Sequence, residues 1–213
     1  MADNLYYWEN PAIIKENKED AHVIALPYDS FEEALRRGES PYQKKLNGKW
    51  RFYWQMGVEG LPEQFQAENF DDSGWNEIEV PGVWQLQGYG KPISLSSSYP
   101  DAIETAKDKI PAINHAKNEV GIYRRTFTVP AEWKGKQIFI HFGAVKSAFF
   151  LYINGKRVGY SQGSMTPAEF RITDAIHAGE NSITAEVYRY SDGTYLEDQD
   201  MCCLLYTSPS PRD

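Results

Sequence analysis

The feature that most constrains this chain is Asn154-Gly155, set between two apolar runs. Ser147-Ala148-Phe149-Phe150-Leu151-Tyr152-Ile153 precedes it and Lys156-Arg157-Val158-Gly159-Tyr160 follows it. Asn-Gly supplies two consecutive residues that tolerate positive φ, as the two-residue turn between right-twisted strands requires. The pair therefore predicts a β-hairpin over residues 147–160. Its neighbours in sequence read the same way. Ile138, Ile140 and Phe142 alternate with other residues, as do Ile183, Ala185 and Val187, and Lys49-Trp50-Arg51-Phe52-Tyr53-Trp54 follows a second Asn-Gly turn at Asn47-Gly48. A period of two puts each set on one face of a half-buried strand. Several short strands with turn punctuation predict an all-β fold, a jelly-roll β-sandwich.

Helix signals are confined to one place. Residues 29–38 offer Ser30 as N-cap, Glu33 as its capping-box partner, basic residues in the last turn and Gly38 as the stop. They predict a short helix inside an irregular N-terminal arm spanning residues 1–40, ahead of a β domain over residues 41–201. Between residues 82 and 120 periodicity lapses, while Pro92, Pro100 and Pro111 recur. This stretch reads as a long structured loop, a type often used for function.

Composition narrows the function classes. At 213 residues the chain can bury a sizeable core, and 41% hydrophobic with 24% charged residues is ordinary globular usage. A net charge of -8 without any basic run argues against nucleic acid as a partner. No stretch has the length or apolarity of a signal peptide or a membrane span, so a cytoplasmic location with no membrane partner is expected. The only cysteines, Cys202 and Cys203, are adjacent, a spacing that disfavours a mutual disulfide. Aromatic residues make up 14% of the chain, a richness that suits both pleated strands and stacking on sugar rings.

Few residues announce chemistry. His22, His115, His141 and His177 are scattered without metal-ligand spacing, and neither a phosphate loop nor a nucleophile elbow is present. In Tyr123-Arg124-Arg125-Thr126-Phe127 the two arginines point to opposite faces of an alternating strand, so solvated or paired side chains are expected rather than an anion site. The acidic run Glu197-Asp198-Gln199-Asp200 follows the last strand. Carboxylates there can accept sugar hydroxyls or bind a hard cation, although a solvated acidic loop is the ordinary reading.

A series of motifs goes further. In order, Trp8-Glu9-Asn10-Pro11, Leu46-Asn47-Gly48-Lys49-Trp50-Arg51-Phe52, Val80-Pro81-Gly82-Val83-Trp84-Gln85 and Gly121-Ile122-Tyr123-Arg124-Arg125 lead into Phe142-Gly143-Ala144-Val145-Lys146-Ser147 and Asn154-Gly155-Lys156-Arg157-Val158-Gly159-Tyr160-Ser161-Gln162. Ser191-Asp192-Gly193-Thr194-Tyr195-Leu196-Glu197-Asp198-Gln199-Asp200-Met201 closes the series. From Trp8 to Met201 the chain resembles the N-terminal sugar-binding domain of the β-galactosidases of glycoside hydrolase family 2.

That resemblance implies a jelly-roll domain preceding two immunoglobulin-like domains and a catalytic (β/α)-barrel. The barrel carries the two glutamates of a retaining mechanism acting on terminal non-reducing β-D-galactosyl residues. No catalytic residue is then expected in this chain, and the fragment alone should be inactive and need no cofactor. Asp200 is implied to bind the galactose 6-hydroxyl and a sodium ion. The ligands of a magnesium ion would lie in the barrel. The implied partners are a β-galactoside, the remaining domains of the same chain and, for the complete protein, further copies in a homo-oligomer. Where many members carry a sugar-contacting Asn, Ser96 stands at or beside the position, with a shorter side chain and no amide donor. Residues 202–213 depart from the family pattern and read as a non-native tail resembling translated sequencing-adapter sequence. The alternatives are a free-standing carbohydrate-binding module and the same domain of a β-glucuronidase or β-mannosidase, which share the architecture.

Overall fold

The computed structural model describes residues 6–92 and 100–197. Among the described residues nine strands form two sheets. They are β1 (Lys15–Glu16), β2 (Gly48–Met56), β3 (Asn76–Val80), β4 (Glu119–Thr128), β5 (Phe139–Phe142), β6 (Ala148–Ile153), β7 (Lys156–Gln162), β8 (Ala168–Arg171) and β9 (Glu180–Tyr188). Seven of them pair antiparallel in the order β1-β7-β6-β9-β4-β2-β3, and β5 pairs with β8 in a small second sheet. The all-β, jelly-roll-like class expected from the sequence holds.

The predicted hairpin is β6–β7. Asn154 and Gly155 take φ of 50° and 75°, the left-handed values for which that dipeptide is suited. The Asn154 side chain also ties the turn to the next strand, accepting from the Ser182 amide at 2.8 Å and donating to the Ala175 carbonyl at 2.9 Å. Register slips between Leu151 and Tyr152, where Gly159 and then Arg157 face them, leaving Val158 as a bulge.

Each face of the large sheet carries its own core. Trp50 and Phe52 of β2, Phe149, Leu151 and Ile153 of β6, and Ile183, Ala185 and Val187 of β9 pack against Ile140 of β5 and Phe170 of β8. The alternation expected for the strands near 138–142 and 183–187 is thus present. The opposite face is not left to water. Val120, Ile122, Phe150, Tyr152 and Tyr188 are covered by Trp8, Phe65, Ala102, Ile103 and Ile113, which come from the N-terminal segment and the connecting loops. As a result β9, the middle strand of the seven, is buried from Asn181 onward on both faces.

The N-terminal segment behaves in two ways. Trp8 stacks on Tyr188 with ring centroids 3.9 Å apart, and Glu9 accepts from the Ile113 amide at 2.5 Å and pairs with His115 at 3.0 Å. Farther along, α1 (Phe31–Arg36) buries none of its residues. Ser30 caps it as expected, its hydroxyl oxygen accepting from the Glu33 amide at 3.2 Å, but the left-handed residue at its end is Arg37, one position before the predicted Gly38. The described parts of the stretch 82–120 that precede β4, residues 82–92 and 100–118, contain α2 (Asp101–Glu104) and short 3-10 turns, while residues 93–99 lie outside the described residues. Tyr195 holds its far part by donating to the Ala112 carbonyl at 2.8 Å.

The arginine pair also behaves as expected. Arg124 is buried and donates to Asp72 at 2.9 Å, to Thr184 at 3.0 Å and to the carbonyls of Phe65 and Ala67, while Arg125 on the other face donates to the carbonyls of Leu46 and Asn47.

Candidate functional site

Antiparallel pairing gathers several strand termini at one end of the large sheet. There β2 ends, β4 begins, β9 runs out into Arg189 and Ser191, β6 begins and β7 ends at Gln162. Buried charged and polar side chains stand at this end among the apolar ones. Glu119 and Arg189 form an ion pair whose side chains are only 5% and 8% exposed. The carboxylate also accepts from the Trp54 indole at 3.1 Å, and Arg189 donates to the Lys91 carbonyl at 3.0 Å. Lys91 is thereby fixed two residues before residues 93–99.

A second anchor holds the start of the acidic run. Glu197 accepts from the Ser164 amide at 2.8 Å and from its hydroxyl at 2.5 Å. Lys146 is within electrostatic reach of both Glu197 and Arg189. Burial lowers its ammonium pKa, Arg189 adds to that effect and Glu197 opposes it.

Asp192 completes this end of the sheet. Its Oδ1 accepts from Gln162 Nε2 at 2.9 Å and from the Gly193 amide at 2.7 Å. Its Oδ2 is buried and has no partner among the described residues. Burial raises the carboxyl above the ordinary range, the bonds from Gln162 and Gly193 pull it back, and the nearby Glu9 and Glu197 push it up further. Oxygen is the ligand atom of hard cations. Among the described residues, however, no three His, Cys, Asp or Glu side chains gather into a metal-binding group. The four histidines pair with Glu9, Glu68 and Glu169 instead.

Ser96 and Asp200, the residues the sequence singled out, lie outside the described residues, as do Cys202, Cys203 and the tail over residues 202–213. The described anchors nearest to them in sequence are Lys91 and Glu197. Sequence reasoning gave no role to Glu119, Lys146, Gln162, Arg189 or Asp192. Gln162 and Asp192 do stand inside the recognised motifs, so motif membership was the available signal. Their contact with each other is a tertiary fact.

The description "Glycosyl hydrolases family 2, sugar binding domain" matches residues 43–206, and the chain belongs to that family. Among its relatives, the Beta-galactosidase of Priestia megaterium (strain DSM 319 / IMG 1521) is 45% identical over 193 residues, covering 90% of this chain and 19% of that protein. The Beta-galactosidase of Psychromonas ingrahamii (strain DSM 17664 / CCUG 51855 / 37) is 43% identical over 197 residues, covering 92% and 18%. A solved Bacteroides Uniformis beta-glucuronidase aligns with 26% identity and a TM-score of 0.49, over 68% of this chain and 14% of that one. The chain thus spans about a fifth of the length of the curated relatives it matches. Among the described residues, no helix is long and apolar enough to cross a membrane.

Proposed function

We propose that this chain is the N-terminal domain of a β-galactosidase, and that it contributes substrate contacts to an active site whose catalytic glutamates lie in a barrel outside these 213 residues. The observation that carries this reading is the 45% identity over 90% of the chain to a protein named Beta-galactosidase. That likeness favours a galactoside over a glucuronide or a mannoside. The geometry supports a contributing role rather than a complete one. The sheet end fixes Lys91 through Arg189 and Glu197 through Ser164, giving firm bases to the segments that carry Ser96 and Asp200.

On this reading Asp200 accepts the galactose 6-hydroxyl, and Ser96 offers the sugar a hydroxyl. A sodium ion at Asp200 would neutralise the carboxylate and help orient the sugar, and a carboxylate has lone pairs enough for both ligands. The retaining chemistry belongs to the two barrel glutamates, and so does any magnesium ion. One carboxylate and one hydroxyl make only part of a pocket, so this chain alone should bind a single galactose weakly.

The test uses the complete enzyme. Asp200→Asn should lower kcat/KM for a chromogenic β-galactoside by about a hundredfold or more and flatten its response to sodium, as expected for losing a charged hydrogen bond made to the reacting sugar. Unchanged kcat/KM and an unchanged sodium response would remove Asp200 from the site. Hydrolysis of the same substrate by the 213-residue chain would place catalysis within it and contradict the reading.

A further inference from the structure

The N-terminal arm crosses from one sheet to the other. Its β1 residues pair with β7, Asn17 donates to the carbonyl of the bulged Val158 at 2.9 Å, and Lys18 then bridges to Phe170 of β8. The Glu19 amide donates to the Glu169 carbonyl at 2.9 Å. The arm lies close on β7, because a Cβ on Gly159 would come within 2.4 Å of the Glu16 carbonyl oxygen. At the end of this run His22 reaches the Glu169 side chain, and beyond it residues 23–27 are exposed.

Both nitrogens of the His22 ring face acceptors. Nε2 lies 3.0 Å from Glu169 Oε1, and Nδ1 lies 3.0 Å from the Val23 carbonyl oxygen. A neutral imidazole has one N–H and one lone pair, so it satisfies one of these contacts and sets a lone pair against oxygen in the other. The imidazolium donates to both. The Val23 carbonyl and the Glu169 carboxylate, with Glu19 adding to them, accordingly hold the His22 pKa above the ordinary histidine value.

His141 of β5 approaches the other oxygen of Glu169, with Nδ1 at 3.3 Å from Oε2, a contact that a neutral ring protonated on Nδ1 supplies. Of the other charged groups on these elements, Lys15 pairs with Asp20, Glu16 with Arg157 and Arg171 with Asp174, while Lys18 sits in the bridge to Phe170. His177 offers a comparison. Its ring faces the Ala178 carbonyl at 3.1 Å and Glu68 at 3.2 Å in the same way, but the Asn181 side chain ties its backbone amide and carbonyl, so its titration leaves that segment in place.

We propose that His22 is an acid-closed clasp: its protonated ring, joining Glu169 to the Val23 carbonyl, holds residues 19–23 of the arm on β8, and loss of the proton releases that stretch while both sheets stay folded. The direction follows from the bonds. They are complete below the ordinary histidine pKa and are lost as pH rises through the raised folded-state value. The clasp does not depend on which sugar the domain serves.

Amide exchange in the 213-residue chain, followed by NMR and corrected for the intrinsic rate at each pH, tests this. From about pH 5.5 to 8 the protection of the Glu19 amide should fall by about two- to fivefold, the scale of one ion pair whose histidine side chain is 49% exposed. His22→Gln, whose side chain carries no charge at any pH, should give low protection at Glu19 that does not vary with pH. His141→Ala should keep the pH response. The Ala185 amide of β9 should exchange alike in the parent and in His22→Gln, because the clasp lies outside both cores. Flat protection of Glu19 in the parent overturns the proposal, as does a pH response that survives in His22→Gln or disappears in His141→Ala. Equal losses at Glu19 and Ala185 in His22→Gln also overturn it, because the opening would then be global.

Discussion

Glu186 lies in the middle strand of the large sheet with water excluded from both faces, and its carboxyl is held by two phenols. Tyr188 donates to Oε1 at 2.5 Å and Tyr152 to Oε2 at 2.9 Å. Burial raises its pKa above the carboxylate range, and the two phenols and Arg157 only partly offset this. A carboxyl with a raised folded-state pKa contributes stability below its unfolded value and loses it as pH climbs through the folded one. Glu186→Gln should therefore gain in Tm relative to the parent as pH rises from about 5 to 8. A difference in Tm that is flat or falls across that range would show that the carboxyl is not strained by burial. The Glu119–Arg189 pair has the opposite character. Removing one partner by Arg189→Ala strands a buried carboxylate and should cost about 3–5 kcal/mol in urea unfolding. Replacing both, as Glu119→Gln with Arg189→Met, should recover part of that loss. If the double variant is no more stable than Arg189→Ala, the pair is not what that end of the sheet depends on.

At the scale of elements, turns and close approaches set the register. Asn154→Ala removes the side-chain bonds to Ala175, Asn181 and Ser182 and places alanine at a φ of 50°, so a loss of about 2–3 kcal/mol is expected from thermal unfolding. Asn154→Gly should fall between, because it accepts the backbone but not the bonds. Gly121 is different. A Cβ at Gly121 would come within 2.2 Å of the Trp84 ring and 2.9 Å of Phe52, so Gly121→Ala should destabilise by roughly 1–3 kcal/mol or more through overpacking. Wild-type stability in that variant would mean that Trp84 can move aside. The two positions also show what was legible. The turn at Asn154 could be read because its requirement is local, two residues with positive φ. The requirement at Gly121 is imposed by a tryptophan brought back by the long loop, and no local pattern in β4 encodes it.

For the whole molecule, the decisive fact is that both faces of the large sheet are covered. Trp8→Ala removes a ring stacked on Tyr188 and should cost about 3–5 kcal/mol. Phe31→Ala, in a helix that buries nothing, should change stability by less than about 0.5 kcal/mol. Equal effects in urea unfolding would mean that the covering role assigned to the N-terminal segment is wrong. Alternation in β9 identified Ile183, Ala185 and Val187 as inward-facing, and they are. It gave no warning that Thr184, Glu186 and Tyr188 would be buried as well, because a period of two distinguishes the faces of a strand but does not say whether a second layer exists. The candidate site divides in the same way. Glu197 and Asp192 lay inside a recognised motif, Asp192 without a role, whereas their bonds to Ser164 and Gln162 followed only from where antiparallel pairing brought the strand ends.

The sequence by itself determined the hairpin, the cap at Ser30, the all-β class and the likeness to family 2. These rest on local backbone preference, on side-chain period or on the order of motifs, all of which are carried along the chain. Only the tertiary structure decided which polar groups lost their water and which glycine had no room for a methyl group. Those properties depend on neighbours distant in sequence, and burial and contact exist only once the layers have met.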